Sequence, residues 1–224
     1  MIKPLRMWQG GPVPWVTAWT GEVIPPQRVR EHHGIGGRGL GLVDEHPAAD
    51  RVLDVLWVRM PATRTGVPDF AMMHALRQRT ALLRGLCQLC GGAIGDSPEG
   101  VLFLLGPADG RPIGEGERTM APPVHRFCAR TAVRACPPLR RHGHTAALVS
   151  HTLPWGVQGL LYSPDTLEPI PSDSHGLHFV PYTDAASLRW VIAIRYLVTL
   201  HGVRPVDLAD LPDEPITPEL QRTP

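Results

Sequence analysis

The stretch GLCQLCGG, residues 85–92, separates Cys87 from Cys90 by two residues and places two glycines directly behind them. A CxxC turn lets two thiolates converge on one soft cation, and zinc takes thiolate and imidazole ligands in a tetrahedron. Gly91 and Gly92 carry no side chain to obstruct the backbone as it folds back around the sulfurs. After 34 intervening residues, the run HRFC supplies His125 and Cys128. They lie three apart at the start of a predicted helix, a spacing that sets both on one helical face. Cys87, Cys90, His125 and Cys128 thus make a complete Cys3His set for Zn2+. With every position taken by protein atoms, such a zinc has no place for an activated water, and its role is structural. Cys136, eight residues after Cys128, is a fifth candidate. It reads either as a core residue near the site or as a substitute ligand for His125.

The flanking sequence predicts an α+β fold, with short antiparallel strands and a few helices arranged around the zinc module. Residues 69–85 read as a helix capped by Asp69 and ended by Gly85, because Met73, Leu76, Thr80 and Leu83 follow a 3, 4, 3 spacing. Residues 55–60, 100–106, 145–150, 157–162 and 177–182 read as strands. Residues 107–123 form a turn-rich excursion. A second helix begins at His125 and is stopped by Pro137 and Pro138. The apolar run from Asp184 to His201 reads as a long helix, capped by Thr183 or Asp184 and closed by Gly202. Segmentally, 1–68 is a Pro/Gly/Trp-rich arm with strands, 69–144 the helix and zinc module, 145–204 the strands and C-terminal helix, and 205–224 an acidic, proline-rich, mobile tail.

The order of knuckle, hairpin, loop and helix over residues 86–136 resembles a treble-clef zinc module. In their wider context, RQRTALLRGLCQLCGG, PPVHRFCARTAVRACPPLRR and GVQGLLY resemble an uncharacterised family of actinobacterial proteins. That family implies no activity, and its second ligand pair is often CxxC, so His125 departs from it in a way that zinc chemistry tolerates. A likeness to nuclease finger modules stops at the CxxC and the helix before it, because GEGERTMAPP lacks the histidine doublet that would hold a catalytic cation.

Composition narrows the function classes. A formal charge of +1 offers no global attraction to nucleic acid or anionic lipid. No stretch approaches the ~20 apolar residues of a membrane span, and the N-terminus carries no apolar run of signal-peptide length. The expected location is therefore the cytoplasm, where clustered cysteines serve as ligands or free thiols rather than disulfides. The GIGGRG run matches GxGxxG at Gly34, Gly36 and Gly39, but a dinucleotide fingerprint needs a strand before it and a helix after. A glycine-rich loop is the expectation.

Local charge is more informative. Arg126, Arg130 and Arg134 recur every four residues and Arg140 with Arg141 follow, in a stretch with no acid between 118 and 164. These five are candidate phosphate contacts. Glu31, His32, His33, Asp44 and Glu45 form a candidate second metal site, for iron or a similar ion with vacant positions. His74, on the helix before the knuckle, is expected at the surface or boundary. Three functional readings follow: a binding or accessory module with a structural zinc and an unspecified protein or small-molecule partner; a metalloenzyme of specialised metabolism using the second site; and a nucleic-acid-binding regulator acting through the arginines.

Overall fold

The computed structural model describes residues 1–34, 36–95, 97–106, 111–173 and 176–212. In chain order these form β1 (Arg6–Trp8), β2 (Gly11–Val13), β3 (Thr17–Trp19), β4 (Val29–Gly34), β5 (Gly37–Leu42), α1 (Pro47–Asp50), β6 (Arg51–Val52), β7 (Val55–Trp57) and β8 (Pro68–Met73). There follow α2 (Ala75–Leu83), β9 (Val101–Leu105), β10 (Arg118–Thr119), α3 (Arg126–Ala135), α4 (Pro137–His142), β11 (Thr145–Leu161), β12 (His178–Pro181), α5 (Ala185–Leu188) and β13 (Val191–Pro205). The fold is α+β with mostly antiparallel sheets.

Its spine is a ribbon of two long antiparallel strands, β11 and β13, whose register runs from Ala147↔Pro205 to Leu161↔Val191 with irregularities at Pro154/Gly156 and Gln158/Gly159. Short strands extend the ribbon into one seven-stranded sheet: β9 and β12 pair with different halves of β11, and β7, carrying β6, and β10 pair with β13. Strands from residues 1–68, 69–144 and 145–204 therefore share this sheet. Among the described residues no helix is long and apolar enough to cross a membrane.

Burial on both sheet faces explains two departures from the sequence reading. The expected helix over Asp184–His201 is a helix only at Ala185–Leu188, where the Asp184 carboxylate accepts from the Ser187 N–H at 3.0 Å. From Val191 the chain is β13. Val191, Ile192, Ile194, Val198 and Thr199 are β-branched and lose rotamer freedom in a helix. With both faces covered, the strand shows a continuous apolar run instead of an alternation, and periodicity alone cannot tell that from a buried helix. By the same logic, the runs expected as separate strands at 145–150 and 157–162 are one strand, β11.

The other helix was expected six residues too early. Pro68–Met73 is β8, antiparallel to β3, and Asp69 accepts from the Ala71 N–H instead of capping a helix. The cap is His74, whose Nδ1 accepts from the Arg77 N–H. Its Nε2–H donates to the Pro61 carbonyl at 2.9 Å, and burial holds the imidazole below its usual pKa. His74 is fully buried, not a boundary residue. Gly34 and Gly37 close the β4–β5 hairpin, so the glycine-rich run lies between two strands and is no dinucleotide fingerprint. Gly39 admits the Arg189 backbone, whose carbonyl accepts from the Leu40 N–H.

Alternation within β9 and the first half of β11 divides the interior in two. Phe103, Ala147 and Val149 point to a core shared with Trp57, Val157, Tyr196 and Val198. Leu102, Leu104, Ala146 and Leu148 point the other way, into a core shared with Cys87, Cys90, Val124, Cys128 and Ala129. Leu208 and Leu211 also lie in that second core, so residues 206–212 of the expected mobile tail are packed. Residues 213–224 lie outside the described residues.

Candidate metal centre

The knuckle is a tight hairpin. Leu86 bridges Ala93, the Gly91 N–H donates to the Cys87 carbonyl, and the Cys87 N–H donates to the Gly92 carbonyl, each of the last two at 2.8 Å. Gly91 sits at φ +68°, and a Cβ there would overlap the indole of Trp15, so the position excludes side chains on both counts. The Gly92 N–H points back to the Cys90 sulfur at 3.3 Å, as the two glycines behind CxxC led one to expect.

Helix α3 supplies the second pair. His125 is its N-cap and Cys128 lies in its first turn, where the helix dipole favours a thiolate. The four ligand atoms of Cys87, Cys90, His125 and Cys128 lie within 4.8 Å of one another, and all four residues are buried. His125 Nδ1 is 3.4 Å from the Cys90 sulfur and 3.9 Å from that of Cys128. Its other nitrogen, Nε2, donates to the Ala93 carbonyl at 3.1 Å. That bond assigns the proton to Nε2 and turns the Nδ1 lone pair toward the sulfurs, the outer-shell arrangement that orients metal-binding histidines. The donor set fits zinc: three soft sulfurs and one imidazole, enclosed, with no carboxylate.

Electrostatics favour a cation here. Hydrogen bonds from Cys128 and then Cys87 hold the Cys90 thiol far below the ordinary range. Burial opposes charging of His125, but the Cys87 and Cys90 sulfurs outweigh it and push the imidazole up to about 10. Binding of a divalent ion to such ligands is coupled to proton release.

Cys136 is half-buried at the junction of α3 and α4 and is not among the converging ligands. The module also departs from the treble-clef order in its middle. β9 finds its antiparallel partner in β11, and β10 in β13, so among the described residues these two strands do not pair as a hairpin between knuckle and helix.

The arginine stripe divides into two groups. Arg126 pairs with Glu99 at 2.5 Å, and Arg130 donates to the carbonyls of Leu208 and Leu211, clasping the last packed segment onto α3. Arg134, Arg140 and Arg141 are exposed. At the candidate second metal site, Glu31 pairs with Arg38 at 2.8 Å, Asp44 with Arg59 at 2.9 Å and Glu45 with Arg51 at 2.6 Å. His32 and His33 lie on β4 with Glu31. Among the described residues the Cys3His quartet is the one group of three or more His, Cys, Asp or Glu side chains whose ligand atoms converge.

Sequence reasoning did not find the outer contacts of the centre. The Trp15 N–H donates to the Leu89 carbonyl and the Val16 N–H to the Gln88 carbonyl, so the N-terminal arm is laid along the knuckle. Nor did it find Glu22, fully buried, whose carboxylate accepts from Arg77 and from the backbone N–H groups of Trp19 and Arg64. The richness in tryptophan was the visible trace of the first; an isolated glutamate gave no signal for the second.

The chain matches no protein-family model, and neither the curated proteins nor the solved structures contain a significant match to it. The treble-clef and actinobacterial resemblances accordingly rest on the residues that carry them.

Proposed function

We propose that the chain is a binding or accessory module organised by one structural zinc ion, held by Cys87, Cys90, His125 and Cys128. The observation that carries this reading is the convergence of four buried ligand atoms, three sulfur and one nitrogen, within 4.8 Å. Four protein ligands complete a tetrahedron and leave no coordination position for substrate or water. The knuckle followed by a ligand-bearing helix supports the treble-clef likeness; the sheet strands between them set this module apart from it. Elemental analysis of the purified protein should give one zinc per chain. Cys87→Ser should lose that zinc and lower the melting temperature, because metal binding at such a site is coupled to folding. A Cys87→Ser protein with full zinc content and an unchanged melting temperature would overturn the assignment.

A second reading, contact with nucleic-acid phosphates, draws on the exposure of Arg134, Arg140 and Arg141. Three phosphate contacts give a log–log salt slope of about −3 on duplex DNA. A steeper slope would require cations beyond these three, and absence of binding at low ionic strength would remove the reading.

A further inference from the structure

Between the N-terminal arm and the knuckle lies a cleft of about 450 Å³, lined by Lys3, Arg6, Arg64, Trp15, Trp19 and Cys90 among others, with no aspartate or glutamate in its walls. Its volume falls within the range of small-molecule sites. Glu22, whose carboxylate accepts from the Arg64 N–H, is already committed to Arg77 and to two backbone N–H groups. The three cations of the cleft have no such partner. The side chains of Lys3 and Arg6 make no hydrogen bond or ion pair among the described residues, and Arg64 makes one long bond, 3.5 Å, to the Trp15 carbonyl.

Two of these cations rest against aromatic rings, while Lys3 and Arg6 are exposed to solvent. The Arg6 guanidinium lies 5.6 Å from the Trp19 ring centroid and that of Arg64 lies 5.9 Å from the Trp15 centroid, both in cation–π range. Arg64 is a non-glycine residue at φ +52°, and its N–H is fixed by Glu22 Oε1 at 2.9 Å. Such backbone strain persists where the surroundings over-determine it, and it clusters at binding sites. Burial, and after it the like charges of Arg77 and Arg6, weaken the hold of Arg64 on its proton. An anion in the cleft would offset the like-charge repulsion.

The charge balance indicates which anion. A zinc ion with three thiolates carries one net negative charge, and Lys3, Arg6 and Arg64 supply three positive ones, leaving a surplus of two. A phosphomonoester dianion matches that surplus, and the cleft has room for an organic group beside the phosphate. We propose that this cleft binds a small phosphomonoester through Arg6, Arg64 and Lys3. The inference leans on the zinc reading only for the charge of the centre.

The test uses the full zinc-loaded chain at low ionic strength, with tryptophan emission as the readout because Trp15 and Trp19 form the walls. Adenosine monophosphate or phenyl phosphate should change the emission saturably and bind at least about tenfold more tightly than adenosine, phenol or inorganic phosphate. Arg64→Gly relieves the backbone strain while removing the guanidinium, and should weaken binding by about tenfold or more, the scale of a charge-assisted hydrogen bond. Arg6→Gln should act in the same direction. Zinc content and melting temperature are measured on every sample, so loss of the metal is told apart from loss of the ligand. No saturable change with either ester at millimolar concentration overturns the proposal, as does equal affinity for inorganic phosphate. Wild-type affinity in both variants overturns it too. If the variants lose zinc while ester affinity is unaltered, the arginines serve to screen the thiolates and the proposal is wrong.

Discussion

At the scale of single residues, His125 and Glu22 show how burial makes a polar group specific. His125 has one nitrogen tied to the Ala93 carbonyl and the other turned to the sulfurs. Replacing it by alanine removes a ligand and should weaken zinc binding by at least the ~10–100-fold typical of losing an outer-shell partner. His125→Cys should retain one zinc per chain, because a fourth thiolate also completes the tetrahedron; competition with a chromogenic chelator measures both. Glu22 obeys a different balance. Burial alone would raise its pKa, but hydrogen bonds from Arg77 and the Arg64 N–H, with the charge of Arg77, reverse the sign and hold it below the usual carboxylate range. A depressed folded value means that the stabilisation is fully present above the unfolded value of about 4.3 and is lost as pH falls through the folded one. Urea midpoints measured from pH 7 down to pH 3 should therefore drop, and Glu22→Gln should flatten that acid limb. At pH 7 Glu22→Gln should cost about 3–5 kcal/mol, since it leaves Arg77 buried without its counter-charge.

Among the elements, α2 and β13 are joined by a buried amide. Gln78 donates through Nε2 to the Met120 and Tyr196 carbonyls at 2.7 and 2.9 Å, and its Oε1 accepts from the Tyr196 N–H at 3.0 Å. Gln78→Leu would leave three backbone groups unpaired in the interior, and chemical denaturation should register a loss of about 1–3 kcal/mol for each group that no water reaches. The elements also mark where sequence was an adequate guide. α3 was legible because His125, the helix formers after it and the Pro137–Pro138 stop agree locally. β13 was not, because its pattern is set by neighbours on both faces rather than by water on one. β8 was mistaken for a helix because Met73 and Leu76 fit a helical spacing by coincidence, and only the pairing of Thr17 with Met73 draws residues 68–73 into a strand.

For the whole molecule, two of the three core clusters differ in whether they include the candidate metal ligands. One holds Trp57, Phe103, Tyr196 and Val198 and contains no ligand; the other is built around Cys87, Cys90 and Cys128. Chelation of the zinc should raise hydrogen exchange at residues 86–93 and 126–135 first, with the β11–β13 ribbon retaining protection. Simultaneous loss of protection along β13 would show that the two interiors unfold as one. Removing the chain from Val206 onward should also destabilise the metal side, because Leu208 and Leu211 leave that core and Arg130 loses its carbonyl partners.

By itself, the sequence determined the candidate Cys3His set and the α+β class, since both follow from residue types at short spacing. Cys87 with Cys90, and His125 with Cys128, are local pairs whose chemistry needs no knowledge of the rest of the chain. Tertiary structure decided what local spacing cannot encode. It turned an apolar run expected as a helix into the central strand, committed Arg126 and Arg130 to the chain's own segment, and packed residues 206–212. It also assembled Lys3, Arg6 and Arg64 around one cleft beside the knuckle. Those outcomes depend on burial and on partners distant in sequence, and a residue's neighbours in the chain carry no record of either.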